Sequence, residues 1–107
     1  MLTTANITFV SQETICHENR GALTLEYYLR GHTGPDGETQ YGMRIDMRNP
    51  DGELLERDET TGLSTSIADV AELAKAFAKG TVEPSFLHEM VEECFCQETK
   101  KFMPFFV

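Results

Sequence analysis

The sequence predicts an α+β domain in which a four-stranded antiparallel meander is followed by two helices packed on one face of the sheet. Two copies of Pro-Asp-Gly-Glu, at residues 35–38 and 50–53, lie between segments in which apolar and polar residues alternate. Beyond Gly62 the apolar residues recur at helical spacing instead. A chain of 107 residues has room for one hydrophobic core. We therefore expect a single domain over residues 1–99 and a short apolar arm over residues 100–107.

The two Pro-Asp-Gly-Glu segments are expected to form hairpin loops. Proline fixes φ at the first corner, aspartate accepts a hydrogen bond from a nearby backbone N–H, and glycine takes the left-handed position. Gly37 and Gly52 are therefore predicted to have positive φ.

Four strands are expected around these loops. Residues 23–30 and 40–48 alternate most clearly, while residues 53–60 are mostly polar and are expected at an edge of the sheet. A less regular strand is expected over residues 6–11, with Cys16 and His17 in the loop that follows it. The predicted core face of the two clearest strands consists of Leu23, Leu25, Tyr27, Leu29, Tyr41, Met43, Ile45 and Met47.

Two helices are predicted in the second half of the chain. The first covers residues 66–79, where Ser66 begins a capping motif and Gly80 follows as a stop signal. The second begins near Pro84 and ends near residue 97, and the short loop between them favours a helical hairpin. Their apolar stripes are Ile67, Val70, Ala71, Ala74, Phe77 and Ala78, and then Leu87, Met90, Val91, Cys94 and Phe95. Both stripes should cover the sheet, which would bury Phe77 and Leu87.

The composition argues against several classes of function. Eighteen acidic residues against nine basic ones give a charge of −9, which repels nucleic-acid phosphates and anionic membranes. No apolar run is long enough to span a membrane, and the start of the chain does not resemble a secretion signal. The three cysteines form no C-x-x-C pair, which favours reduced thiols and a cytoplasmic protein.

Two segments resemble a family of small acidic bacterial proteins, of the Firmicutes type, whose function is unknown. They are the run from Tyr41 to Ile45, which follows the aromatic pair Tyr27-Tyr28, and the run from Val82 to Glu93. The resemblance extends over roughly residues 23–95. It implies a cytoplasmic bacterial domain and supplies no activity, catalytic residue or ligand. The arm departs from the family pattern, which usually stops near the second helix.

The second helix carries a weak set of candidate metal ligands. His88, Glu92 and Cys96 lie at positions i, i+4 and i+8, so they share one helix face. The second histidine of a zinc-protease helix is missing, and a solvated polar face is the preferred interpretation. The sequence also lacks a glycine-rich phosphate loop and a nucleophile elbow. We therefore predict no catalytic residue, metal or cofactor, and no enzyme.

The polar face of the sheet is a candidate binding surface. A cationic, aromatic patch is expected there, formed by Tyr28, Arg30, Arg44 and Arg48. Glu26 and Asp46 share this face, and they are expected to form cross-strand ion pairs with the arginines. A small-ligand or single-stranded nucleic-acid site on this face is the alternative function.

The arm supplies the leading function. It places five large apolar side chains after two lysines, namely Phe102, Met103, Phe105, Phe106 and Val107, with Phe102, Phe105 and Phe106 as candidate binding residues. Exposed apolar patches are rare in soluble monomers, so the arm should dock on its own domain or pair with a second chain. We predict a non-catalytic interaction or regulatory module, in an unknown pathway, that forms a homodimer or binds another protein.

Overall fold

The computed structural model describes residues 4–96, with side chains from residue 6 to residue 94. Four antiparallel strands form one sheet in the order β1-β2-β3-β4: β1 (Thr4–His17), β2 (Gly21–Thr33), β3 (Thr39–Arg48) and β4 (Leu54–Glu59). Two helices follow, α1 (Ile67–Lys79) and α2 (Leu87–Cys96), the second preceded by a 3-10 turn (Pro84–Phe86). The predicted α+β meander with two C-terminal helices is confirmed. The arm over residues 100–107 lies outside the described residues.

Both hairpin loops form as predicted. Gly37 and Gly52 each have φ of +87°, a conformation that glycine adopts without steric penalty. In the first loop, the side chain of Asp36 accepts a hydrogen bond of 3.1 Å from the backbone N–H two residues later. In the second loop, Asn49 takes this role instead of Asp51, accepting from two backbone N–H groups at 3.0 and 2.9 Å.

The first strand differs most from the prediction. It is 14 residues long rather than limited to residues 6–11, and it contains Cys16 and His17, for which a loop was expected. A β-bulge directly after Phe9 inserts one extra residue and reverses the alternation of the faces. Ile7 and Phe9 therefore point away from the core, whereas odd-numbered residues beyond the bulge face it. This reversal explains why strict alternation does not predict the full strand.

The hydrophobic core lies between the sheet and the helices. The sheet contributes Leu23, Leu25, Tyr27, Leu29, Met43, Ile45 and Met47, all buried as the alternation predicts. Phe77 and Leu87 are fully buried, which confirms that the helices cover the sheet. Of the predicted core residues, Ile67 is exposed at the start of α1, whereas Leu73, which is not in the predicted stripe, is buried. Four others are half-buried and pack against the core: Tyr41, Ala71, Met90 and Val91.

The first helix is capped as predicted and closes differently. The hydroxyl of Ser66 accepts a hydrogen bond from the backbone N–H of Asp69 at 3.3 Å. After the helix, the left-handed residue is Thr81, with φ of +49°, whereas Gly80 has φ of −87°.

Within the described residues α1 lies over β1, β2 and β3 and α2 lies beside β4, so each helix packs mainly on the sheet rather than on the other helix.

Candidate functional site

The surface of the sheet that faces away from the helices is called the open face here. It carries the four predicted binding residues: Tyr28 and Arg30 on β2, and Arg44 and Arg48 on β3. Their neighbours in sequence point into the core, so the alternation of each strand directs these four side chains outward. The register places Tyr28 directly opposite Arg44.

Tyr28 is the centre of an aromatic and cationic cluster. The ring of Phe9 meets the ring of Tyr28 edge-on, with centroids 5.6 Å apart and an interplanar angle of 74°. The guanidinium carbon of Arg44 lies 4.6 Å from the centroid of the same ring. The hydroxyl of Tyr28 donates to the carboxylate of Glu26 at 2.9 Å. Burial, followed by this hydrogen bond, raises the pKa of Tyr28, so the phenol stays protonated as a donor.

Asp46 is the centre of the ion-pair network. Its carboxylate is 0% exposed, and it accepts two hydrogen bonds from Arg57, from Nε at 2.9 Å and from Nη2 at 3.1 Å. Arg44 donates through Nη2 at 3.3 Å, and Arg48 lies 3.6 Å from the same carboxylate. Arg48 also donates to Glu26 at 2.9 Å. The predicted cross-strand pair of Glu26 with Arg48 is confirmed. For Asp46 the prediction names the wrong partners: its cross-strand partner is Arg57 on β4, and its contacts with Arg44 and Arg48 lie within β3.

The open face has a different charge from the rest of the chain. Arg30 pairs with Glu59 at 3.1 Å, which extends the network across to β4. Among the described residues the face then has four arginines and three carboxylates: Arg30, Arg44, Arg48 and Arg57 against Glu26, Asp46 and Glu59. The face carries +1 and the total charge is −9, so all other residues together carry −10. The negative charge of this protein therefore lies away from its open face.

The sequence prediction misses three contributors to this face: Phe9, Arg57 and Glu59. Phe9 is missed because the bulge shifts the alternation of β1 by one residue, so the sequence alone does not show which of its side chains face outward. Arg57 and Glu59 are missed because β4 is polar on both faces, so its composition does not reveal which residues point outward. Counting outward from the second hairpin loop does not recover this pair either. A register shift between Arg48 and Met47 moves the pairing by one residue, so that Asp46 lies opposite Arg57 instead of Glu56.

The three candidate metal ligands lie on α2, and the side chains of two of them are described. His88 lies 3.3 Å from Asp58 on β4 and is mostly exposed. Glu92 is exposed on α2, and the side chain of Cys96 lies outside the described part of the chain. Among the described residues, no group of three histidine, cysteine, aspartate or glutamate side chains is arranged to hold a metal ion.

Two further groups of polar residues are not part of the cluster around Tyr28 and Asp46: a pocket at the β2–β3 hairpin, and Cys16 with His17 on β1. A shallow, open pocket of about 210 Å³ lies at the β2–β3 hairpin, where His32 and Asp36 are among the lining residues. Cys16 and His17 are consecutive on β1, so their side chains point to opposite sides of the strand, as expected for an extended segment.

These features define a small two-layer α+β domain with a charged and aromatic open sheet face. The chain belongs to DUF6514, a family of unknown function, which matches residues 6–97. The predicted relationship to a family without a known function is thereby confirmed. No curated protein and no solved structure matches the chain. Within residues 4–96, no helix is long and apolar enough to cross a membrane.

Proposed function

We propose that this chain is a non-catalytic interaction module whose open face binds a partner protein presenting carboxylates beside apolar side chains. The cluster formed by Phe9, Tyr28 and Arg44 is the observation that carries the proposal. Phe9 is 55% exposed although its ring is held against Tyr28. Aromatic residues and arginine contribute most of the energy at protein interfaces, and a side chain already held in place loses little entropy on binding.

The chemistry of the partner follows from the exposed groups. Arg48 and Arg57 are 30% and 41% exposed, and each guanidinium has five N–H donors, more than the contacts with Glu26 and Asp46 use. A carboxylate from a partner can accept these remaining donors. Ile7, exposed on β1 beside Phe9, offers apolar contact to the same partner.

A nucleic-acid strand is the second candidate, because an exposed ring beside Tyr28 is the kind of platform on which bases stack. Two observations favour a protein instead. The open face has only one net positive charge, and the whole chain is strongly acidic. A strand with a charged phosphate at every nucleotide is therefore repelled more strongly than a partner that presents single carboxylates beside apolar side chains.

The proposal places the protein in a bacterial cytoplasm as a homodimer. The two cysteines with described side chains, Cys16 and Cys94, are free thiols, which is typical of a reducing compartment. A bacterial origin is supported by the family resemblance alone. Self-association is argued below from the edge of the sheet.

A selection from a random peptide display library tests the proposed binding surface. We expect the folded protein to enrich peptides that combine acidic and large apolar residues. In titrations with the enriched peptides, Phe9→Ser and Arg57→Gln should each raise Kd by about tenfold, which corresponds to about 1.4 kcal/mol.

Two variants provide matched controls. Phe86→Ser removes a phenylalanine of similar exposure outside the open face, and Arg20→Gln removes an exposed arginine from the β1–β2 turn. Both controls should leave Kd unchanged. The proposal is overturned if the enriched peptides are basic, if the controls weaken binding as much as the open-face variants, or if an oligothymidylate binds more tightly than the peptides.

A further inference from the structure

The outer edge of β1 has no strand beside it within residues 4–96. The order of the sheet places β1 and β4 at its two edges, and β1 is 14 residues long against 6 for β4. Only the side of β1 that faces β2 is paired in the described sheet. Alternate backbone N–H and C=O groups along the other side are therefore free to pair with another strand.

The two edges differ in how they are protected against such pairing. Proteins protect edge strands by keeping them short, charging them or covering them. β4 is short, four of its six side chains are charged, and the turn at Pro84–Phe86 packs beside it. From Thr4 to Cys16, β1 contains no lysine, arginine or proline, and its only charged residue is Glu13. β1 has only its bulge after Phe9 and the single charge of Glu13, so it is the less protected of the two edges.

We infer that β1 pairs antiparallel with β1 of a second copy of this chain, joining two sheets into one of eight strands. The bulge after Phe9 disturbs the first half of the strand, so the regular stretch from Ser11 to His17 is the pairing segment. An antiparallel strand centred on Thr14 can pair with itself about a twofold axis, so both copies use the same groups. In this register Glu13 lies opposite an isoleucine, Ile15, of the other copy rather than opposite another glutamate.

The second copy is favoured over another partner for two reasons. Two chains of charge −9 repel each other least where they approach through nearly neutral segments, and β1 is such a segment. Ile7 and Phe9, two of the exposed large apolar residues among the described ones, also lie on this strand beside the proposed junction. This inference is independent of binding at the open face, because it concerns backbone groups at the edge.

Sedimentation velocity over a wide range of concentrations tests the dimer. Gln12→Lys with Thr14→Lys places like charges across the proposed junction, and we expect the dimer Kd to rise by at least about tenfold. The matched control, Gln40→Lys with Thr65→Lys, makes the same exchanges at exposed positions away from β1. It should dimerise like the unchanged chain.

Amide hydrogen exchange on the unchanged chain provides an independent measurement that requires no variant. Protection of residues 11–17 should increase with protein concentration as the outer amides become paired. The inference is wrong if the chain is monomeric at every concentration, or if both lysine variants dimerise equally. It is also wrong if residues 11–17 are protected independently of concentration, since a segment of the same chain would then cover the edge.

Discussion

Asp46 shows how a single residue organises the open face. It is the one charged side chain among the described residues that has no exposed surface, although it lies on the outer side of the sheet. Removing a carboxylate from water is unfavourable unless its oxygens are hydrogen bonded, and here the arginines on both sides supply the donors. The arginines in turn shield the carboxylate from water, so they and Asp46 hold one another in fixed positions.

Substituting Asp46 by asparagine should destabilise the domain by about 1.5–3 kcal/mol, because it removes the charge and turns an amide donor toward arginine donors. Urea denaturation measures the change. Asp58→Asn is the matched control, since the exposed pair of Asp58 with His88 should contribute less than about 1 kcal/mol. Equal effects of the two substitutions would mean that the buried network contributes no more than a surface pair.

Tyr27 provides a prediction about alkaline pH. Its ring is buried in the core, and its hydroxyl donates to the carbonyl oxygen of Val82 at 2.9 Å, which ties β2 to the loop after α1. Burial, then the negative charges of Glu13 and Glu83, raise the pKa of Tyr27 above its ordinary value of 10.0. Below pH 10 both the folded and the unfolded chain keep the proton, so the stability from this group is constant. Above pH 10 only the unfolded chain releases it, and stability falls.

Comparing the unchanged chain with Tyr27→Phe isolates this contribution. Near neutral pH the variant should lose about 1 kcal/mol with the hydrogen bond. Above pH 10 its stability should fall less steeply than that of the unchanged chain, by up to about 1.4 kcal/mol per pH unit. Chemical denaturation at several alkaline pH values measures both slopes. Parallel declines would contradict the raised pKa.

At the scale of elements, the sequence predicts those whose local signals agree with their packing. The two hairpin loops and α1 belong to this group, because turn residues, capping and apolar periodicity all indicate the same boundaries. β1 does not, because its bulge makes Ile7 and Phe9 resemble core residues that the structure places outside. For the open face, strand alternation predicts the residues of β2 and β3, whereas the contribution of β4 depends on cross-strand register.

Two phenylalanines test the packing of the helical layer on the sheet. Phe77→Ala removes a fully buried ring from α1 and should destabilise the domain by about 3–5 kcal/mol, since the cavity cannot close completely. Phe86→Ala removes a ring that is 52% exposed, and its effect should stay within about 0.5 kcal/mol. Thermal and urea denaturation of both variants provides the comparison. A small loss for Phe77→Ala would contradict the sheet-on-helix core.

At the scale of the whole molecule, the two proposed binding surfaces differ in charge from the rest of the chain. The open face and the edge at β1 are adjacent, and together they are much less negative than the remainder of the chain. For the proposed partners this arrangement would orient association, because a second chain or an acidic protein would be repelled less here than elsewhere on the molecule. Composition predicts the overall acidity, but this difference in charge arises only when the strands are in register.

Truncation of the chain after Lys101 distinguishes two routes to a dimer. If β1 forms the junction, the truncated protein keeps the dimer Kd of the full chain, and this is the outcome we expect. If apolar arms were exchanged between copies, truncation would give a monomer, since Phe102, Phe105 and Phe106 would be gone. Light scattering over a series of concentrations measures the mass in each case.

The meander order of the sheet also determines when the protein is vulnerable during its synthesis. Each strand pairs with its neighbour in sequence, so hairpins can close one after another as the chain leaves the ribosome. The helices come last in the sequence. The apolar face of the sheet therefore stays uncovered until α1 is complete at residue 79. A nascent chain that has emerged from the ribosome as far as residues 59–67 would have all four strands and neither helix to cover them. In that interval the core face of the complete sheet is exposed to water, so the nascent chain is prone to aggregate until the helices form.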